Sequence, residues 1–113
     1  MKTRGWLAGF SVFLASLLFS GVSFAEEPVY SVVIKDHQFV PRVLKIPQGK
    51  KVKIVIENQD ATPEEFESYE LNREKMVTGN GKITVFLGPL KRGTYKYFGE
   101  FHKDTAQGEI LAE

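Results

Sequence analysis

An all-β sandwich of about seven strands is the fold this chain predicts. Three observations carry the expectation: apolar and polar residues alternate with period two, turn residues punctuate the runs at hairpin-like spacing, and helix-forming stretches are short. The β-branched run from Val29 to Lys35 reads as the first strand. Val43 to Ile46 alternates apolar with basic residues and stops at the Pro47-Gln48-Gly49 turn. Over 51–57, Val52, Ile54 and Ile56 share one face, while Lys51, Lys53 and Glu57 share the other. A short strand is expected over 66–71, with Phe66 in the core. The Thr78-Gly79-Asn80-Gly81 turn then leads to Lys82–Leu87, where Ile83, Val85 and Leu87 share a face. After the turn-rich stretch from Gly88 to Gly93, residues 94–100 hold Tyr95, Tyr97 and Phe98 and read as a core strand. Gln107 to Ala112 closes the set. Glu70 to Met76 has good helix formers but length for one turn at most, or for an extended loop.

The first 25 residues carry the marks of a secretion signal. Lys2 and Arg4 precede an apolar run from Trp6 to Leu18, and Ser23 and Ala25 stand where a cleavage site places small residues. The apolar run is short for a full membrane span. A soluble domain beyond the membrane is therefore expected over residues 26–113, in the periplasm, with no stable membrane insertion after cleavage.

Those 88 of the 113 residues suffice for one small domain with one core. The chain has no cysteine, so no disulfide staples it. Setting Lys2 and Arg4 aside from the 15 basic residues leaves 13 against 14 acidic ones, a net charge of −1. Such a balance offers no basic field for nucleic acid. Lys50, Lys51 and Lys53 cluster on one hairpin and read as a solvated face. Glu64, Glu65, Glu67, Glu70 and Glu74 cluster after it. No nucleophile elbow, phosphate-binding glycine loop or Ser/His/Asp constellation is present.

The run from Phe39 through Pro41, Leu44, Ile46, Gly49, Val52 and Ile54 to Asn58-Gln59-Asp60 resembles the first half of a cupredoxin. Gly93-Thr94-Tyr95-Lys96-Tyr97-Phe98-Gly99-Glu100-Phe101-His102, followed by Gly108-Glu109-Ile110, resembles the second half. The Glu64-Glu65-Phe66-Glu67 segment is similar to the EfeO-type branch, periplasmic cupredoxin-like domains associated with bacterial iron or copper handling. The resemblance implies a Greek-key sandwich over nearly all of residues 26–113, and a metal site at one end of it. It also implies departures. Glu64 stands where copper-binding members usually have His, Gly99 where they have the Cys ligand, and Thr105-Ala106-Gln107 where the axial Met is expected; only His102 survives. A blue copper centre needs a thiolate, so that centre is excluded.

The expected metal ligands are Glu67, His102, Glu100, Glu65 and Glu64. His102 holds a ligand position of the resembled family, and imidazole is a widely used ligand. Glu100 shares its strand parity if the strand continues. Glu65 and Glu67 share a face, and their mutual repulsion gives a cation a reason to bind there. Glu64 replaces the family's usual His, and the EfeO-type pattern implies a metal-binding glutamate at Glu67. Asp104 is a candidate acceptor orienting His102. Met76 is a soft ligand suited to Cu(I), although core packing or a loop contact explains it as well, and His37 reads as solvated in the first inter-strand loop.

These residues together lead to a periplasmic protein binding copper or iron at a sulfur-free site. The resemblance implies service to ferrous-iron uptake or oxidation, with an iron-transport protein and a membrane permease as partners. Two alternatives stand beside it: a metal-free module docking a transport partner through its acidic edge, and a copper chaperone using Met76 and His102.

Overall fold

In the computed structural model, residues 27–113 are described, and the secretion signal expected over 1–25 lies outside them. Nine strands form two packed sheets, with no α-helix among the described residues. The strands are β1 (Val29–Lys35), β2 (Gln38–Val40), β3 (Val43–Ile46), β4 (Val52–Asn58), β5 (Glu64–Ser68), β6 (Arg73–Val77), β7 (Lys82–Leu87), β8 (Gly93–Gly99) and β9 (Gln107–Ala112). A 3₁₀ turn, Glu100–His102, follows β8. One sheet runs β2-β1-β4-β7 and the other β3-β9-β8-β5-β6. Pairing is antiparallel except for β1 with β4 and β3 with β9.

The all-β expectation holds, with nine strands rather than about seven. The additions are β2, three residues long, and β6, which replaces the helical turn or loop expected at Glu70–Met76. Four of the five residues of β6 are exposed, so no buried face marks it as a strand. The strand expected over 66–71 lies earlier, at Glu64–Ser68, and the chain turns at Tyr69–Asn72.

The core fills the gap between the sheets. Val52, Ile54, Ile56 and Asn58 of β4 all point into it, as the alternation requires. They meet Val32, Ile34, Phe66, Tyr97 and Ile110 from both sheets. Phe39, Phe66 and Tyr97 form an aromatic cluster with ring centroids 4.8–6.4 Å apart. Each fully buried aliphatic or aromatic side chain contributes about 1.5–3 kcal/mol, which lets so small a domain stand without a disulfide.

Three buried polar side chains interrupt this core: Asn58, Glu64 and Ser68. Ser68 is satisfied locally, donating to the Lys96 carbonyl and accepting from Leu71 N–H. Asn58 and Glu64 organise the end of the sandwich where the candidate site lies.

Candidate metal centre

Asn58 fixes the loop after β4. Its amide donates to the carbonyls of Thr62 and Thr78, and its Oδ1 accepts from Asp60 N–H. Asp60 is thereby aimed at the β1–β2 hairpin. That hairpin is a two-residue loop, Asp36-His37, with Lys35 facing Gln38. Both loop residues have positive φ, 53° and 58°, as a type I′ turn requires. Neither is glycine, so the conformation needs support. The Asp60 carboxylate supplies it: Oδ1 accepts from Asp36 N–H and Oδ2 from His37 N–H, each at 2.9 Å. Burial acts to raise the Asp60 carboxyl. The two N–H groups, with the imidazoles of His37 and His102 beyond them, outweigh it and hold Asp60 below the ordinary aspartate range.

Glu64 opens β5 with its side chain pointing inward and only 1% exposed. A buried carboxylate demands partners. Glu64 Oε1 accepts from the N–H groups of Glu65 and Phe101, and Oε2 lies 2.6 Å from His102 Nδ1. Oε1 is already committed to two donors, so the short contact is read with Nδ1–H donating to a carboxylate. The remaining ring nitrogen, Nε2, is the one Glu64 leaves free, on an imidazole whose side chain is 27% exposed.

His37 completes the arrangement. Its ring stacks on that of His102, with centroids 3.7 Å apart and planes 12° from parallel. Its Nδ1 is 3.5 Å from Asp60 Oδ2. Each imidazole of the stack thus has a carboxylate beside its Nδ1. The pair brings together a hairpin tip and a 3₁₀ turn more than sixty residues apart.

The five expected ligands fall into two groups. Glu64 and His102 meet directly. Glu65 and Glu67 leave β5 on the opposite face, because side chains alternate along a strand, and they join Glu74 with carboxylate oxygens within 4.8 Å of one another. The convergence expected of Glu67 with His102 is therefore not what the fold produces. Partial burial together with the charges of Glu74, Glu100 and Glu65 pushes the Glu67 carboxyl up. Glu100 belongs to this outer group and pairs with Lys103 at 3.3 Å. The parity expected to align it with His102 fails because β8 ends at Gly99 and the chain enters a 3₁₀ turn. Met76 faces Glu65 across the β5–β6 pair and does not accompany His102. The role expected of Asp104 is filled by Glu64. His37, read from the sequence as solvated, is a central member.

Gly99 explains why no larger residue stands there. A Cβ at this position would lie 2.5 Å from Glu64 Cδ and 2.7 Å from the Ala106 Cβ. Its φ of −95° is open to any residue, so space alone demands glycine.

The cupredoxin-like domain family matches residues 7–112. The chain belongs to that family. An uncharacterized protein of Rickettsia prowazekii is 50% identical over 80 residues, which cover 71% of this chain and 64% of that protein. The match thus spans less than two thirds of the relative's length. Among solved structures, the metal-binding domain of the Cu(I)-exporting P-type ATPase CopA from Streptococcus pneumoniae superposes with a TM-score of 0.70 at 11% identity, covering 80% of this chain and 91% of that one. Auracyanin A, a "blue" copper protein from Chloroflexus aurantiacus, gives 0.66 at 15% identity, covering 78% and 100%. A purple cupredoxin from Nitrosopumilus maritimus gives 0.58 at 19% identity, covering 74% and 99%. At these identities the structures establish a shared fold.

A thiolate copper centre does not fit this cupredoxin-like domain. The chain has no cysteine, and the Glu64 carboxyl occupies the space a side chain at Gly99 would need. An ion held by imidazole does fit. His102, with its Nδ1 engaged by Glu64, has the arrangement of a metal-binding histidine, and His37 stands beside it.

Proposed function

We propose that this cupredoxin-like protein binds a transition-metal ion, copper(II) or iron, through the ring nitrogen of His102 left free by Glu64, with the His37 ring stacked against that imidazole and holding it in place. The single observation that carries the reading is the buried Glu64 carboxylate 2.6 Å from His102 Nδ1. A carboxylate in that position fixes the ring's orientation and keeps Nδ1 engaged, so that Nε2 is the nitrogen turned to a ligand. Imidazole suits copper, iron and zinc, and with no sulfur in the set an oxidised ion is favoured over Cu(I). One-electron exchange with ferrous iron is the chemistry a bound copper would supply. The secretion-signal pattern and the EfeO-type Glu64-Glu65-Phe66-Glu67 segment support service in the periplasm to a ferrous-iron uptake system, delivering the ion to a membrane permease.

Titration of the purified protein with Cu(II) and Fe(II) tests the proposal. Saturable binding, weakened by His102→Ala and by His37→Ala but not by Glu67→Ala, is expected. Binding that survives both histidine changes refutes it. One observation favours a second reading, a metal-free module docking a cationic partner: Glu65, Glu67, Glu74 and Glu100 gather on one outer face. No metal binding at micromolar concentration would leave that reading standing.

A further inference from the structure

One chain does not complete the site proposed above. Its donor to an ion is the ring nitrogen of His102 that Glu64 leaves free. The neighbouring carboxylates are already engaged. Glu64 Oε1 accepts from two backbone N–H groups and Oε2 meets the imidazole. Both Asp60 oxygens accept from the hairpin backbone. Nor does His37 add a donor to the same ion while the stack holds. A ring nitrogen offers its lone pair in the plane of its own ring. These two planes lie 12° from parallel with centroids 3.7 Å apart, so the lone pairs occupy separate planes and do not converge on one point. Among the described residues, the ligand-bearing side chains that gather in a group of three are Glu65, Glu67 and Glu74, and His102 is not one of them. A single nitrogen falls short of the three or four protein ligands that hold zinc, the best-defined case.

The surroundings fit a second donor brought by an identical end of another molecule. This end of the sandwich is acidic: Asp36, Asp60, Glu64 and Asp104 stand against Lys35, while Lys103 is paired with Glu100. Two such ends repel one another until a cation lies between them. Phe101, in the same 3₁₀ turn as His102, is 45% exposed, an aromatic ring beside the ligand of the kind that interfaces cover. A two-fold axis through one ion places the same imidazole, the same ring and the same charges on either side of it, and the pair then closes without further growth.

We infer that the ion is shared: two copies of this chain meet end to end, with one divalent ion held between His102 of one copy and the partner's His102. The inference rests on the metal-binding reading and adds what completes the site. Association becomes conditional on the ion, because without it the acidic ends keep the copies apart. Each bound ion gains a second imidazole, and its other positions stay open to water. Association is also self-limiting, since an excess of ion gives every chain one of its own and separates the pair.

Sedimentation equilibrium of the purified protein during titration with Cu(II) tests this. In EDTA the chain is expected to be monomeric. Added Cu(II) is expected to double the mass, with most dimer near about half an equivalent per chain, and a roughly tenfold excess to restore the monomer. His102→Ala is expected to abolish the dimer, and Glu67→Ala, on the outer face, to leave it unchanged. Should His102→Ala fail to fold, the rise and fall of mass with copper in the unaltered protein decides the matter. Copper bound one to one by a chain that stays monomeric throughout overturns the inference and leaves the metal-binding reading intact. A dimer that persists in EDTA, one that forms as readily in His102→Ala, or a mass that keeps growing past the dimer also overturns it. Absence of any copper binding removes both readings together.

Discussion

Replacing Glu64 with glutamine separates the carboxylate's role in stability from its role in setting the histidine. Glu64 accepts from Glu65 N–H and Phe101 N–H at 2.9 Å each and from His102 at 2.6 Å. The amide oxygen of glutamine still serves the two backbone donors, at neutral rather than charge-assisted strength. A change of that kind is worth about 1 kcal/mol per bond, partly offset by no longer burying a charge. The expected net loss is about 1–2 kcal/mol, or a fall in Tm of roughly 5–15 °C for a domain of this size. The amide NH₂ now faces His102 Nδ1, which must become an acceptor and leave the proton on Nε2. The nitrogen offered to a metal is then blocked, and affinity is expected to fall about 10–100-fold. Glu64→Ala, which orphans all three donors and leaves a cavity, is expected to lose about 3–5 kcal/mol. Thermal unfolding reads the first quantity, Cu(II) titration the second, and imidazole ¹⁵N shifts report the tautomer. A Glu64→Gln variant that keeps metal affinity within about threefold of the parent, against the 10–100-fold loss expected, or that keeps the proton on Nδ1, refutes the reasoning.

Other consequences follow from the same geometry. Asp60→Asn is expected to lose about 1 kcal/mol at neutral pH, as for loss of a side-chain cap on backbone N–H groups, and to loosen His37 from His102. Because the folded Asp60 pKa lies below its ordinary 3.8, its stabilisation is present above that value and disappears as pH falls through the lower folded one; acid titration of parent and variant should therefore converge. Glu67→Gln has the opposite sign: a carboxyl raised above its ordinary 4.5 disfavours the fold once ionised, so the substitution raises Tm slightly at pH 7 and leaves it unchanged well below pH 4.5. Gly99→Cys, with a Cβ 2.5 Å from Glu64 Cδ, is expected to destabilise by about 1–3 kcal/mol through overpacking, and to show no intense copper–thiolate absorption while Glu64 stays in place. Arg73 and Lys75 donate to the free carbonyls of Phe86 and Thr84 on the β7 edge; changing both to alanine is expected to increase self-association, measured by light scattering, with little change in Tm.

The sheets were legible wherever one face is buried. Val52 through Asn58 alternates without a break, and Lys82 through Leu87 nearly so, because each strand has a core side and a solvent side. β6 was not, since a strand exposed at four of five positions has no period to read, and Arg73-Glu74-Lys75-Met76 are good helix formers judged alone. In the site, His102 was legible from its family position. Glu64 was named as a ligand, but its actual partner depends on which way β5 faces. An error of two residues in the start of that strand conceals that Glu64 lies inside the sheet sandwich, whereas the face shared by Glu65 and Glu67 was read from simple alternation. His37 needed more: a hairpin at Asp36-His37, and a carboxylate at Asp60 to hold it. The signal available was the two-residue gap between Lys35 and the Gln38-Phe39-Val40 run, which is a hairpin length.

Glu64 and Gly99 are best understood as a single structural arrangement. In the cupredoxin pattern these two positions carry an imidazole and a thiolate. Here the carboxylate extends into the space above Gly99, touches backbone N–H groups of two segments, and ends on His102. A side chain at position 99 and this pose of Glu64 exclude each other sterically. The thiol's absence and the buried acid therefore belong together: removing the first opens the space that the second fills, and filling it commits one nitrogen of the remaining histidine. What such a centre retains for a metal is the other nitrogen of His102, with the His37 ring stacked upon that imidazole. That is a nitrogen-donor site, kept apart from the outer glutamates by the thickness of a single strand. The two groups must consequently respond independently: a change at Glu67 alters the electrostatics of the outer face, while the metal binding proposed for the inner group would depend on Glu64, Asp60 and the two imidazoles they position.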